Sequence, residues 1–201
     1  MVEVFNQGDF SSYRIEDSRY SGVLTDSRSF SAGTRRTTKR TIFLSHKHDD
    51  LEDLKGFIGY LERYYNVECY IDSDDPGMPE KTSGETAERI KKFIKTTDRF
   101  ILLATDNAIA SKWCNWELGY GDAYKYDKDI AILAMKDSSI YGGDFKGKEY
   151  MEMYPSIVFC DGNTPKKGGG NFSKGLYVKT SNGTDVYLTA FDGWLKGQLF
   201  K

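Results

Sequence analysis

The sequence predicts an α/β protein in which a parallel sheet is covered by helices on both faces, and three observations predict it. Short apolar runs of strand length recur between residues 41 and 135. Stretches with helical spacing separate them. Each run is continuously apolar rather than alternating, as a strand buried on both faces requires. The first is Thr41-Ile-Phe-Leu-Ser45, followed by Asp49 and Asp50, which can cap a helix, and by Glu52 and Asp53, which suit its positive end. Leu51, Leu54, Ile58, Leu61 and Tyr65 then form one helical stripe. Val67-Glu-Cys-Tyr-Ile71 is a second strand, and the acids, prolines and glycine of Asp72-Ser-Asp-Asp-Pro-Gly-Met-Pro79 mark a loop. Thr82-Ser-Gly-Glu85 fits a capping box for a helix whose inward stripe is Ala87, Ile90 and Ile94. Arg99 to Ala104 is a third strand, Ser111 opens a helix running to about Tyr126, and Asp129 to Met135 is a fourth strand.

Composition divides the rest. Residues 1–39 form a polar extension in which Tyr13, Ile15 and Tyr20 are scattered among Ser, Arg and Asp, and it is expected to lie as an arm on the domain surface. Residues 40–160 make the domain core, and 161–201 a strand and helix addition packed on it. Ser156–Phe159, Leu176–Lys179 and Val186–Thr189 suit short strands. Phe191, Trp194, Leu195 and Leu199 suit a closing amphipathic helix, and the glycines at 168–170 read as a linker.

Several function classes are excluded early. Lys+Arg number 28 against 30 Asp+Glu, so the basic surplus of a nucleic-acid binder is missing. No apolar run approaches the ~20 residues that span a bilayer, and MVEVFNQGDF lacks the build of a signal peptide. Cys69, Cys114 and Cys160 are odd in number and form no CxxC pair, so they read as thiols of a reducing, cytoplasmic compartment. The chain has two histidines, His46 and His48, and a metal site needs further ligands, which speaks against zinc. Asp72, Asp74 and Asp75 read as a solvated turn. There is no GxGxxG after the first strand, no P-loop, and no Ser-His-Asp elbow or catalytic Cys signature.

In a parallel sheet, ligands bind beyond the carboxyl ends of the strands. Three segments fall there: Ser45-His-Lys-His48, the acidic loop after strand two, and Asp106 to Glu117. The third contains Ser111-Lys-Trp-Cys-Asn-Trp-Glu-Leu-Gly119, in which Trp113, Glu117 and Tyr120 or Gly121 share a helical face. Gly119 and Gly121 each cost ~1 kcal/mol relative to Ala, which suggests room left for a close-packed ligand or backbone. Spacing alone leaves open a plainer arrangement, with Glu117 in solvent and the tryptophans in the core.

Ile42-Phe-Leu-Ser-His46, Tyr70-Ile-Asp72, Pro76-Gly77 and Ser111-Lys-Trp-Cys-Asn-Trp-Glu-Leu118 together resemble the Toll/interleukin-1 receptor (TIR) domain, closest to bacterial members of antiphage defence of the Thoeris type. The resemblance covers residues 40 to 135, and the Ser-x-Trp-Cys-x-x-Glu-Leu element is its most specific part. It implies a flavodoxin-like three-layer sandwich and an enzyme that cleaves the nicotinamide–ribose bond of NAD+, its substrate rather than a cofactor. The product would be ADP-ribose or a cyclic form, a signal for a downstream effector. Carried over by position, Glu117 is catalytic, and Ser45, His46, Lys47, His48, Tyr70, Asp72 and Trp113 bind substrate. His46 and His48 stand where several members carry Tyr and Arg. Asp75, Pro76 and Gly77 fall in a loop through which such domains self-associate. A carboxylate suits the chemistry, because positive charge develops on the ribose as nicotinamide leaves. Two other readings remain: a non-catalytic TIR interaction module, and a nucleoside N-glycosidase or deoxyribosyltransferase-like enzyme.

Overall fold

A computed structural model describes residues 1–15, 39–71, 84–125, 127–137 and 145–199. Strand β1 is Phe5–Asn6, β2 Arg40–Ser45, β3 Val67–Tyr70, β4 Arg99–Ala104 and β5 Ile130–Lys136. Beyond them lie β6 Ser156–Cys160, β7 Gly175–Asn182 and β8 Asp185–Ala190. The helices are α1 Leu51–Tyr64, α2 Gly84–Thr96, α3 Asp106–Ala110, α4 Lys112–Lys125, α5 Lys148–Met153 and α6 Phe191–Leu195. The sheet order is β3-β2-β4-β5-β6-β7-β8. It is parallel from β3 to β6, and the β7–β8 hairpin extends it antiparallel.

Two cores follow from the two-residue period of the buried strands. Ile42, Leu44, Ile101, Leu103, Ala131 and Leu133 face one side with Leu54, Phe57 and Leu61 of α1 and Trp194 of α6. Phe43, Phe100, Leu102, Ile130 and Ile132 face the other, against Ile90 and Ile94 of α2, Cys114 and Leu118 of α4 and Phe145. The fold is therefore the helix-covered parallel sheet that the continuous apolar runs predict. Chain order reverses between β2 and β4, and the crevice beyond their carboxyl ends is the expected ligand position.

The first fifteen residues depart from a surface arm. β5 and β6 share a single rung, Ile132 opposite Ser156, and then separate. Val2 bridges Phe159 on one side of this fork, while Phe5 and Asn6 pair in parallel with Met135 and Lys136 on the other. Phe5, Phe10 and Ile15 are buried in the first core. Their seat on α1 is Gly56-Phe-Ile-Gly59. A Cβ on Gly56 would lie 2.7 Å from the Phe10 carbonyl oxygen, and one on Gly59 only 1.9 Å from that of Tyr13. The polar composition conceals this because the contact is backbone on glycine, with Phe10 and Tyr13 set edge-on to Phe57 and Tyr60. The rest of the extension, and the capping box at Thr82, lie outside the described residues.

Smaller differences have local causes. Asp50 occupies the N-cap position of α1, but its side chain makes no capping bond; a partner across the crevice takes it instead. The glycines at 168–170 form a tight turn rather than a linker. All three have positive φ, closing the Pro165–Asn171 bridge. Gly121 packs a would-be Cβ 3.1 Å from the Phe100 ring, so the space it leaves holds a core side chain, while Gly119 faces open space. The helix opened by Ser111 is preceded by the short α3, to which the sequence patterns assign no element.

Arg99 ties α6 to the sheet. Its guanidinium donates to the carbonyls of Trp194 at 2.7 Å and Leu195 at 3.2 Å and pairs with Asp129 at 2.9 Å. Lys125, at the end of α4, is buried beside it and donates to the Thr97 carbonyl. Burial pushes its ammonium down to about 8, with Asp129 and Asp98 opposing the shift.

Two predictions follow from this packing. Gly59→Ala forces the segment at Tyr13 off α1 and should cost about 1–3 kcal/mol in urea unfolding; an unchanged midpoint would contradict the seat. Between pH 8 and 10.5 the unfolded chain holds a Lys125 proton that the folded chain has released, so stability gains from rising pH in that window. The stability of wild type minus that of Lys125→Met should therefore rise by up to about 3 kcal/mol across it. A flat difference would show that the ammonium is not desolvated.

Candidate active site

Glu117 reaches its position through α4. The Ser111 hydroxyl accepts from the Cys114 N–H at 3.3 Å, capping the helix start. Asn115 Nδ2 then donates back to the carbonyls of Ile109 at 2.9 Å and Ser111 at 2.8 Å, fixing the bend between α3 and α4. With Gly121 seated on Phe100, the helix lies close over β2 and β4. That brings Glu117 to the carboxyl end of β2, where the Ser45 hydroxyl donates to its Oε2 at 2.5 Å. Glu117 is 1% exposed, and its other oxygen is also out of contact with solvent. The plainer arrangement is thus reversed: the carboxylate is buried and the tryptophans are half-exposed.

Trp113, one turn before Glu117, stacks on Trp116 with centroids 4.8 Å apart, and the row continues through Tyr120 to Tyr124. Lys95 of α2 sits 4.4 Å from the Tyr124 ring centroid. Glu117 borders this aromatic row, so a ring-bearing ligand entering beside the carboxylate would meet indole surface.

The other candidates divide by position. His46 is buried beside Ser45, Lys47 is half-buried, and His48, which opens the 3-10 turn His48–Asp50 rather than continuing an extended segment, is exposed. Tyr70 lies at the end of β3, with its ring stacked on Phe93 at 3.5 Å and Phe43 at 5.7 Å. Its ring is thus a core element at the rim of the crevice. Asp72, Asp75, Pro76 and Gly77 lie outside the described residues. Among the described residues, no group of three His, Cys, Asp or Glu side chains could hold a metal ion, and no helix is long and apolar enough to cross a membrane.

Sequence reasoning missed Asp50. It is buried in the 3-10 turn after β2 and accepts from the Thr105 hydroxyl and from Asn107 Nδ2 at 3.2 Å. Thr105 in turn accepts from the Ala108 N–H at 3.0 Å, capping α3. Burial raises the Asp50 carboxyl above its ordinary range, while the bonds from Thr105 and Asn107 pull it down. Asp50 therefore clamps the loop after β2 to the loop after β4, the two walls of the crevice. The available signal was a hydroxyl directly after the apolar run of β4, facing an acid five residues after Ser45.

The chain thus has a parallel α/β sheet with a buried carboxylate tethered to the strand end where the chain order reverses. The sequence signature of the TIR domain matches residues 42–156, more than half of the chain. The protein belongs to the TIR domain family. Over 120 residues it is also 34% identical to a Bacillus cereus (strain MSX-D12) protein named "Probable 3' cyclic ADP-D-ribose synthase ThsB'". That match takes in 58% of this chain and 60% of the relative.

The clamp predicts non-additivity. Asp50→Ala and Thr105→Ala should each cost about 1–3 kcal/mol, because each strands buried polar partners, and the double variant should cost clearly less than their sum. Additive losses in denaturant unfolding would mean that the two side chains act separately.

Proposed function

We propose that this chain cleaves the nicotinamide–ribose bond of NAD+ at Glu117 and closes or hydrolyses the resulting ADP-ribose. The observation that carries the reading is the Ser45–Glu117 hydrogen bond, a buried carboxylate held by strand β2 at the sheet's switch point. The name of the Bacillus cereus relative, a cyclic ADP-D-ribose synthase, supports the same chemistry.

NAD+ presents a leaving group that is already cationic. As the C1′–N1 bond breaks, its electron pair departs with nicotinamide, which becomes neutral, and positive charge passes to the ribose. An anionic Glu117 close to that ring stabilises the charge more in the transition state than in the ground state. Its oxygens can accept hydrogen bonds from ribose hydroxyls. When water or a hydroxyl of the same molecule attacks C1′, the carboxylate is placed to take the proton released. Ser45 is a positioning residue: its donated bond fixes one carboxylate oxygen. Trp113 offers an aromatic surface beside the leaving ring. Lys47 and His48, in the loop after β2, are the groups that would meet a diphosphate there. Self-association through the 72–79 loop and a downstream effector for the product complete the proposed role in antiphage defence.

Chromatographic measurement of nicotinamide release tests this. Glu117→Gln should lose at least about 10³-fold in rate with its circular dichroism unchanged, and Ser45→Ala should lower kcat by about 10-fold with little change in KM. Undiminished release by Glu117→Gln would remove the carboxylate from the mechanism. Silence from wild type, stimulated or not, would favour the interaction module.

A further inference from the structure

A hollow of about 1000 Å³ opens at the fork between β5 and β6, and none of Ser45, Glu117 or Trp113 lines it. That volume suits a small-molecule ligand. Three ammonium groups reach its wall from three separate elements: Lys136 from β5, Lys148 from α5 and Lys179 from β7. Two carboxylates oppose them, and one of these, Glu3, is engaged with Lys179 at 2.7 Å. Phe145, Met151 and Tyr154 supply apolar and aromatic surface, while Ser156 and Asn182 supply hydrogen-bonding groups. The N-terminal wedge builds one wall with Glu3 and Val4, so the hollow is a product of the fold's own additions to the parallel sheet.

The same helix that walls this hollow is fastened to the α3–α4 bend. A Cβ on Gly147, at the start of α5, would lie 2.6 Å from Ile109 Cδ1, so the two surfaces are in close contact. One turn on, the Tyr150 hydroxyl donates to Asn115 Oδ1. Asn115 is the residue whose amide sets the bend, two positions before Glu117. A load on α5 therefore meets the start of α4 through one buried contact and one hydrogen bond.

We propose that the β5–β6 fork is a regulatory binding site for a small ring-bearing phosphate compound of the nucleoside diphosphate type, relayed to Glu117 through Tyr150 and Asn115. Lys136 and Lys148 take the phosphates, Lys179 being held by Glu3, and Met151 and Tyr154 take the ring over the buried Phe145. Ligand binding is independent of the NAD+ reading, and only the relay rests on it.

Amide NMR of the full chain during titration with ADP, which has no nicotinamide bond to cleave, tests the site. Resonances of residues 148–156 and 179–183 should shift together. Lys136→Glu with Lys148→Glu should weaken those shifts by about 10-fold or more in affinity, whereas Glu117→Ala should leave them intact. Pyrophosphate should bind there more weakly than ADP, because it lacks the ring. Shifts confined to the Ser45 and Glu117 region, or pyrophosphate binding as tightly as ADP, would overturn the assignment. For the relay, the double lysine variant should keep basal nicotinamide release and lose its response to ADP. Tyr150→Phe should still bind ADP at the fork but show no response. A wild-type response in Tyr150→Phe would overturn the relay while leaving the site standing, and a chain inert toward NAD+ would still decide the site by NMR.

Discussion

A carboxylate taken out of water must be given donors, or the fold bears the full cost of its desolvation. Ser45 meets part of that requirement for Glu117, and much of the architecture follows from bringing the two together. Ser45 ends β2 on the face that carries Phe43, opposite Leu102 of β4. Only a helix crossing that face closely can reach it. Gly121 against Phe100, the Ser111 cap and the Asn115 amide all serve the approach and the angle of α4. Asp50 and Thr105 then tie the loop after β2 to the loop after β4, next to the end of β2 that carries Ser45.

The sheet has two interruptions, and the chain uses both. One is topological, between β2 and β4, where the chain order reverses; the other is physical, between β5 and β6, where pairing stops after one rung. The first holds the buried acid. The second admits residues 2–6, which pair with both neighbours and leave a hollow lined with lysines. Helices α4 and α5, which border these two places, touch each other through Tyr150 and Asn115.

The central strands and α4 were legible because each carries a pattern with one cheap explanation. Five consecutive apolar positions such as residues 100–104 of β4 have few homes other than a covered parallel sheet, and Ser-x-Trp-Cys-x-x-Glu-Leu places a capped helix and its acid together. Residues 1–15 were not legible, because a two-residue strand has no period and Phe10 stands alone among polar residues and glycine. Their position is written instead in Gly56 and Gly59, forty residues away, whose missing side chains mean nothing until the partner backbone is known. Asp50 misled for a related reason: a residue at an N-cap position is ordinarily spent on its own helix, and here a threonine from another loop competes successfully for it. Gly121 was read as space for a ligand or backbone, and the group that fills it is the Phe100 ring, which the helix sequence does not reveal.

The most direct measurement is a crystal structure of the Glu117→Gln variant with NAD+ soaked in. The account predicts the nicotinamide-bearing ribose in the crevice between β2 and β4, with its hydroxyls about 3 Å from the residue 117 side chain and the pyridinium ring beside Trp113. NAD+ bound with that ribose remote from position 117, or lodged instead in the β5–β6 fork, would contradict it.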